Sequence, residues 1–276
     1  MPIPIYVIAL KSSTERRDVM SARLARAGYD FTFIDAVHGA SMTAEAANAA
    51  ISPRRQYQHA SPISRGALGG CLSHFNAWSR IAESDAPMAL ILEDDACLHD
   101  DLDEVLRRLD RLEGKIDIVN LHFRGGRPLI DVAQLSPTHR LTSCRYNSIG
   151  AESYVITRAA AAHLLTEARP VVHEVDLYLN RWWDHGLHVL TVNPPVVHED
   201  DSPTTIGYPA KVAGWPNDKF WHRFRRRLSR IMDSTTKRRM YPSMVATMKM
   251  RLMGTDPSDV GNNPDFPNLI KMTDGK

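Results

Sequence analysis

Segments typical of buried β-strands alternate with segments typical of helices along the first three quarters of this chain. Apolar runs with strand character occur at 3–10, 29–37, 88–93, 115–123, 139–144, 150–157 and 187–197. Helical patterns occur at 14–28, 42–50, 66–84, 100–112, 158–168 and 174–186. Strands that alternate with helices predict an α/β domain whose central sheet is mainly parallel. We therefore predict one Rossmann-type domain over residues 1–205, with surface loops at 51–65 and 124–138.

A strongly basic segment follows this domain. Between positions 219 and 251 there are eleven Lys and Arg and one acidic residue, a net charge of +10, whereas the remainder of the chain carries −8. Its apolar residues recur at helical spacing, at Phe220, Phe224, Leu228 and Ile231, with Trp221 beside them. A basic amphipathic helix with aromatic residues favours an anionic membrane surface. The alternative is a helical cap on the acidic domain. Because the aromatic residues belong to the apolar stripe, we expect no nucleic-acid partner.

The sequence also predicts the bounds of the C-terminal regions and the cellular location. We predict a basic helical region at 206–253 and a flexible tail at 254–276. The three cysteines form no close pairs, which favours a reducing compartment. The first residues, MPIPIYVIAL, lack the basic start and the long apolar core of a leader peptide. We therefore expect a cytoplasmic protein, attached to the inner face of the cytoplasmic membrane if the basic region binds lipid.

Three consecutive acids, Glu93, Asp94 and Asp95, follow directly on the apolar strand MALIL. Ligands of open α/β sheets bind beyond the carboxyl ends of the strands. Carboxylates crowded there repel one another unless a cation joins them. A hard divalent cation takes one or two carboxylates, water and the phosphates of a substrate. Such a site suits an enzyme that uses a nucleotide sugar. The alternative is that the acids cap the next turn or the helix at 101–111.

Several further motifs accompany the acidic triplet in a fixed order. They are IYVIALKSSTERR near the start, IDAVHG at 34–39, GALGGCLSHFNAW at 66–78, LILEDDA at 90–96, GAESYVITRAAAAHLL at 150–165 and VDLYL at 175–179. This ordered set resembles glycosyltransferase family 25. The resemblance implies a GT-A-like fold. It also implies an inverting transfer of a hexose from a UDP-sugar to a saccharide acceptor, with Mn²⁺ or Mg²⁺ as cofactor.

The resemblance suggests roles for individual residues around the metal and the donor. Asp95 is the first choice as direct metal ligand, and Glu93 and Asp94 contact ribose, water or metal. Folds of this type often supply a further ligand after the last strand, where His198 and Glu199 are candidates, although family members often carry a neutral polar residue there. For donor binding we expect the side chains of Ser12, Ser13, Arg16, His74 and Glu93. Arg16 is favoured over Arg17 as the phosphate partner.

Asp176 is the expected catalytic residue. An inverting transfer needs a base that accepts the proton of the acceptor hydroxyl, and Asp176 matches the acid of the family's "VD" motif. The alternative is a helix-start acid favoured by the helix dipole. Cys71 has no basic partner in the sequence and is expected to pack.

The expected reaction is therefore hexose transfer, with galactose as the leading donor sugar and glucose next. The acceptor is lipopolysaccharide or another envelope glycan, free or lipid-linked. Two alternative functions are also considered. A catalytically silent relative would bind sugar or act as a scaffold. A nucleotidyltransferase would need a glycine-rich basic loop near the first strand, and LKSSTERR contains no glycine.

Overall fold

The computed structural model describes residues 3–59, 61–124, 129–145, 150–200 and 220–254. Its strands, in chain order, are β1 (Ile5–Ala9), β2 (Thr32–Asp35), β3 (Met88–Glu93), β4 (Ala96–Leu98), β5 (Ile118–Asn120), β6 (Leu129–Gln134), β7 (Arg140–Cys144), β8 (Ser153–Thr157), β9 (Val189–Asn193) and β10 (Val197–Glu199). Its helices are α1 (Thr14–Arg26), α2 (Ala44–Ala50), α3 (Arg55–Gln58), α4 (Arg65–Ala82), α5 (Leu102–Asp110), α6 (Arg158–Glu167), α7 (Val175–Leu179), α8 (Trp182–His185) and α9 (Phe220–Met253).

Eight strands form one central sheet in the order β2-β1-β3-β8-β5-β9-β7-β6. Strands β1, β2 and β3 are parallel neighbours, as are β5 and β9. Strand β8 lies between β3 and β5 and is antiparallel to both. Strand β7 is likewise antiparallel to its two neighbours, so six of the eight strands point one way. This mixed α/β architecture with a Rossmann-like sheet confirms the predicted class.

The sheet is covered by helices, and the middle of the sheet is the centre of the core. Every residue of β1 and β8 is buried, and so is β3 up to its last residue. The long helix α4 packs against α6, α7 and the sheet, where Trp78 is fully buried. Burying a side chain of this size stabilises the fold by a few kcal/mol. The site described below therefore rests on rigid elements.

Two predicted surface loops contain regular structure. The segment 51–65 includes α3, and Arg55 within it is only 1% exposed because its guanidinium donates to Glu174 and to the Val172 carbonyl. The segment 124–138 includes β6, which pairs with β7 at the edge of the sheet. Both predictions were wrong because a polar sequence was interpreted as loop. The partners of Arg55 lie more than a hundred positions away, whereas the partner of β6 is the next strand along the chain.

The second half of the domain also departs from the predicted elements. The predicted helix at 174–186 is two short helices, α7 and α8, and α8 ends at Gly186 with a φ of 75°, the left-handed conformation that glycine adopts without strain. The predicted last strand is divided at two prolines. Its first part is β9 in the sheet, and its second part, β10, leaves the sheet to pair with β4.

Helix α9 accounts for most of the predicted basic region. It lies on α3, α8 and β6, and four of its residues are buried, namely Arg226, Tyr241, Val245 and Met248. The predicted boundary near 205 and almost all of the predicted tail lie outside the described residues. Among the residues that the structure describes, no helix is both long and apolar enough to cross a bilayer.

Candidate active site

The acidic triplet lies at the carboxyl end of β3, in the middle of the sheet. Glu93 is the last residue of β3, and Asp94 and Asp95 form the turn into β4. Because β4 follows directly and pairs with β10, the acids are separated from α5 and do not cap it. The turn has the end of β1 on one side and the start of β8 on the other. This is the edge at which open α/β sheets bind ligands.

Glu93 is held by a buried histidine of α4. The Oε1 atom of Glu93 lies 3.2 Å from Nε2 of His74, whose Nδ1 lies 2.8 Å from the Tyr154 hydroxyl. That hydroxyl accepts a bond from the indole of Trp78. An indole N–H can only donate, so the Tyr154 oxygen accepts from Trp78 and the Tyr154 O–H can donate to Nδ1 of His74. In that arrangement Nε2 of His74 carries the ring proton and donates a hydrogen bond to Glu93. The predicted donor-site residue His74 is thus 1% exposed and contacts Glu93.

Asp94 is paired with the arginine that the sequence favoured. Arg16, in the first turn of α1, donates from a terminal nitrogen to Asp94 Oδ1 at 2.8 Å. Burial raises the pKa of Asp94, and the bond from Arg16 opposes that rise. Arg17 points elsewhere, because its guanidinium donates to the carbonyls of Ala9 and Leu10 and to Asp35. Arg16 therefore reaches the acidic turn, whereas Arg17 joins the ends of β1 and β2.

Asp95 is the least satisfied of the three acids. Its Oδ1 atom is buried and has no hydrogen-bond partner among the described residues. The pKa of Asp95 is raised to about 6, mainly by burial and then by the carboxylates of Glu93 and Asp94, against the opposing charge of Arg16. A buried carboxylate without a donor is costly. A cation or a ligand hydroxyl at this atom would remove that cost.

Glu152 is a site residue that the sequence reasoning missed. It lies directly before β8, and its carbonyl accepts a bond from the Glu93 amide at 2.8 Å. Burial raises the pKa of its carboxyl group, and Glu93 raises it further. Gly150 has a φ of 131°, and a Cβ there would lie 2.4 Å from Glu152 Oε2. The acid was visible in GAESYVIT, but placing it at this edge required knowing that β8 is antiparallel to β3.

His122 and Arg124, which the sequence reasoning also missed, lie beside Glu152. His122 follows β5, and its Nδ1 lies 3.1 Å from the Val197 carbonyl. Its Nε2 lies 3.8 Å from Glu152 Oε2, and neither atom has a hydrogen-bond partner among the described residues. Arg124 forms ion pairs with both Glu152 and Glu199. Of the two sequence candidates after the last strand, Glu199 is therefore the one connected to the acidic edge.

Asp176, the predicted base, lies in the first turn of α7. Its Oδ1 accepts a bond from the Leu177 amide at 2.7 Å. Burial raises the pKa of Asp176, the Leu177 amide lowers it, and the carboxylates of Glu174 and Glu93 raise it. Asp176 is thus close enough to Glu93 for the two charges to interact. The neighbouring Asn180 ties α7 to the end of β5, because Asn120 donates to its side-chain oxygen at 3.2 Å.

Three further predicted site residues, and the cysteine that was expected to pack, lie outside the acidic turn. Ser12 is exposed in the turn after β1, and Ser13 occupies the N-cap position of α1 without a side-chain cap bond. His198 is exposed in β10, opposite Cys97 of β4. Cys71 is buried, and burial is the main reason that the pKa of its thiol is raised to about 12. Its thiol is therefore protonated at neutral pH, in line with the expected packing role.

The acidic edge supplies part of the ligand set of a divalent cation. No three His, Cys, Asp or Glu side chains within the described residues converge on a ready metal site. The unpartnered oxygen of Asp95 and the adjacent Glu93 and Asp94 supply the hard oxygen ligands that Mn²⁺ or Mg²⁺ prefers. A cation held by one or two carboxylates, water and substrate phosphates needs no third protein ligand. The residues present fit such an ion.

Comparisons with known proteins found one matching family model and several relatives that match part of this chain. Residues 2–179 match the family model described as glycosyltransferase family 25 (LPS biosynthesis protein). A stretch of 95 residues is 33% identical to procollagen galactosyltransferase 1-B of Xenopus laevis and covers 33% of this chain and 16% of that protein. A stretch of 123 residues is 28% identical to procollagen galactosyltransferase 2 of Mus musculus and covers 43% of this chain and 19% of that protein.

The aligned segments therefore span less than a fifth of the length of these relatives. The family match itself covers well over half of this chain and contains β1, the acidic turn, Glu152 and Asp176. The chain belongs to glycosyltransferase family 25.

Proposed function

We propose that this chain is a metal-dependent, inverting hexosyltransferase of GT-A type. It transfers galactose, with glucose as the next choice, from a UDP-sugar to a saccharide of the bacterial lipopolysaccharide or another envelope glycan. The observation that carries the proposal is the unpartnered, buried Asp95 oxygen at the carboxyl end of β3. Family membership and the galactosyltransferases among the relatives support the reaction class.

The acidic turn is the proposed donor-phosphate site. Asp95, with Glu93 or Asp94, would hold Mn²⁺ or Mg²⁺, and the ion when bound neutralises the charge of the diphosphate leaving group. His74 keeps Glu93 oriented through a buried bond, so this carboxylate is preorganised. Arg16 forms an ion pair with Asp94 at this turn, and in the proposed complex its guanidinium would also donate to a phosphate oxygen of the donor.

The loop after β1 is proposed to contact the nucleoside. Ser12 and Ser13 lie at the same sheet edge as the acidic turn, because β1 and β3 are parallel neighbours. The hydroxyl group of Ser13, at the N-cap position, makes no side-chain cap bond to α1. Hydroxyl groups in this position can donate to or accept from ribose and uracil.

Asp176 is the proposed general base. Its carboxyl group lies near Glu93, and burial together with the neighbouring acids raises its pKa. A carboxylate with a raised pKa is a better proton acceptor, and this is how enzymes adjust an acid for base catalysis. In this role Asp176 accepts the proton of the acceptor hydroxyl as that oxygen forms the new glycosidic bond.

We also propose that the first half of α9 lies on the anionic inner face of the cytoplasmic membrane. Five apolar residues are 46–72% exposed there, namely Phe220, Trp221, Phe224, Leu228 and Ile231. At 3.6 residues per turn they occupy the side of α9 opposite the buried Arg226. Arginines flank this stripe, and a surface with such a composition is suited to anionic lipid.

One experiment separates this enzyme from a silent sugar-binding relative. Purified protein is tested for Mn²⁺-dependent stabilisation by UDP and for hydrolysis of UDP-galactose and UDP-glucose. We expect UDP to raise the melting temperature only with metal and one UDP-sugar to be hydrolysed. Stabilisation without hydrolysis of any UDP-sugar would favour the silent relative, and the absence of both would refute the proposal.

A further inference from the structure

A cavity of about 590 Å³ lies between α9 and the domain, next to the helix that carries Asp176. Its walls come from α3, α4, α7 and α9, and from the segment between α6 and α7. Val175 and Tyr178 line it from α7, on either side of Asp176 in sequence. Cys71 lines it from α4, one turn before His74. The cavity therefore shares two elements with the candidate active site.

The wall of the cavity combines apolar and polar groups. Phe75, Val175 and Met232 supply apolar surface, whereas Gln58 and Ser229 supply hydrogen-bonding groups. Trp183 also lines it, and the indole nitrogen of Trp183 is buried without a partner among the described residues. Sites for small organic molecules have this mixture of apolar surface and a few polar groups. Hydroxyl groups and C–H faces of a saccharide match both kinds of surface.

One end of the cavity is basic. Arg54 and Arg225 line it there, and the Arg225 guanidinium lies 4.8 Å from the centre of the Tyr57 ring. Neither arginine forms an ion pair with any residue that the structure describes. Cation–π contact with Tyr57 holds Arg225 in place without neutralising it. This end is therefore suited to a negatively charged group.

The cavity wall also carries three acids. Asp184 and Asp233 both accept bonds from Arg181, so that each shares this guanidinium. Burial is the main cause that raises the pKa of the Tyr178 hydroxyl group, and Glu167, the third acid of the wall, raises it further. Arg54 and Arg225 are thus the arginines of the wall that form no ion pair with the described residues.

We infer that this cavity is the binding site of the acceptor saccharide and that Arg54 and Arg225 hold an anionic substituent, a phosphate or a carboxylate, on that saccharide. The inference rests on the proposed function, because only a transferase has an acceptor. It adds the location of the acceptor site and the charge of the acceptor. A saccharide seated here approaches Asp176 along α7.

The test uses the indole N–H signal of Trp183 in ¹H–¹⁵N spectra of the full chain, assigned with Trp183→Phe. The probes are glucose, glucose 6-phosphate, glucuronic acid and inorganic phosphate. We expect the two charged sugars to shift this signal at lower concentration than glucose does, and phosphate alone to shift it less. The stronger of the two charged sugars identifies the substituent. If neither charged sugar moves the signal, or if phosphate alone has the same effect, the inference is wrong.

Two variants test the location. Arg225→Gln should weaken the response to the charged sugars by about tenfold, given the strength of charge-assisted hydrogen bonds. Arg223→Gln, an exposed position on the same helix outside the cavity wall, should leave the response unchanged. Ser229→Tyr should fill the cavity and abolish the shift. Equal responses in Arg225→Gln and Arg223→Gln would place the anion elsewhere and overturn the inference.

Hydrolysis of UDP-galactose or UDP-glucose by water separates the two proposals, because it requires no acceptor. If the parent protein hydrolyses a UDP-sugar but the cavity shows none of these responses, the acceptor site is wrong and the proposed function stands. If no UDP-sugar is hydrolysed while the charged sugars bind, the cavity is a saccharide site and the transfer reaction is refuted.

Discussion

His74 and Glu93 are joined by a bond of 3.2 Å that crosses from the interior of the domain to its ligand-binding edge. His74 is 1% exposed, whereas the Glu93 side chain is 30% exposed. The Tyr154 hydroxyl fixes the other ring nitrogen of His74. The orientation of a carboxylate at the proposed donor site thus depends on a chain of buried polar groups.

The first prediction concerns this bond. His74→Gln should weaken Mn²⁺-dependent UDP binding by about tenfold, because groups that orient a metal-binding residue typically contribute 10- to 100-fold in affinity. Tyr154→Phe removes the hydroxyl group that contacts His74 and does not itself contact Glu93. This variant should mainly lower the free energy of unfolding, by about 1–3 kcal/mol. Titration calorimetry and thermal melts separate the two effects. Parent-like UDP binding in His74→Gln would remove His74 from the donor site.

The second prediction concerns Asp95. Asp95→Asn should abolish metal-dependent stabilisation by UDP, because an amide is a far weaker ligand for a hard cation than a carboxylate. Without metal the variant should be as stable as the parent or more so, since the buried charge is gone. Asp85→Asn, in the bend before β3, is the control and should behave as the parent. Unchanged UDP binding with Asp95→Asn would exclude Asp95 as a ligand.

The third prediction concerns Asp176. Asp176→Asn should leave metal-dependent UDP binding intact while transfer of the hexose falls by roughly 10²–10⁴-fold, the usual contribution of a general base. Titration calorimetry with UDP and Mn²⁺ checks the first part, and a transfer assay on a cell-envelope saccharide preparation checks the second. A variant that turns over at nearly the parent rate would disqualify Asp176 as the base.

The fourth prediction concerns pH and the attachment of α9. Asp117 bonds to His188 and to Arg251 of α9. Burial alone would raise its pKa, but these bonds lower it well below its ordinary value of 3.8. The stability gained from Asp117 is therefore fully present above about pH 4 to 5 and is lost as the pH falls further. Asp117→Asn should be less stable than the parent at pH 6.

The difference in melting temperature between the two proteins should shrink between pH 5 and pH 3. Asp131→Asn is the matched control, because the Asp131–Arg140 pair is exposed on the surface and contributes little. A difference that stays constant over this range would show that Asp117 is not ionised in the folded state as described.

The fifth prediction concerns the exposed stripe of α9. The protein should sediment with phosphatidylcholine vesicles that contain 30% phosphatidylglycerol, and not with pure phosphatidylcholine. The double variant Trp221→Gln, Phe224→Gln should lose about tenfold or more in vesicle affinity, since buried aromatic area drives interfacial binding. Val19→Gln, on a similarly exposed apolar residue of α1, is the control. Equal binding to neutral and anionic vesicles would contradict the proposal.

Local pattern was enough to place the acidic turn at the end of a strand. The apolar run ending in Glu93 predicted a buried strand that ends in charged residues, because both are visible within ten positions. The roles of Arg16 and Asp176 were proposed from the family resemblance and stay predictions. Glu152, His122 and Arg124 were not predicted, because their role depends on the order and direction of strands β5 and β8.

What the sequence alone determined is the alternation of strands and helices, the family and the position of the acidic turn, since each of these is written in contiguous residues. What only the tertiary structure decided is which buried groups meet: His74 with Glu93, Glu152 beside the acidic turn, and the cavity under α9. The physical reason is that hydrogen bonds and ion pairs join residues as far as 19 to 177 positions apart. The energies of these contacts depend on distance in space, which no local pattern encodes.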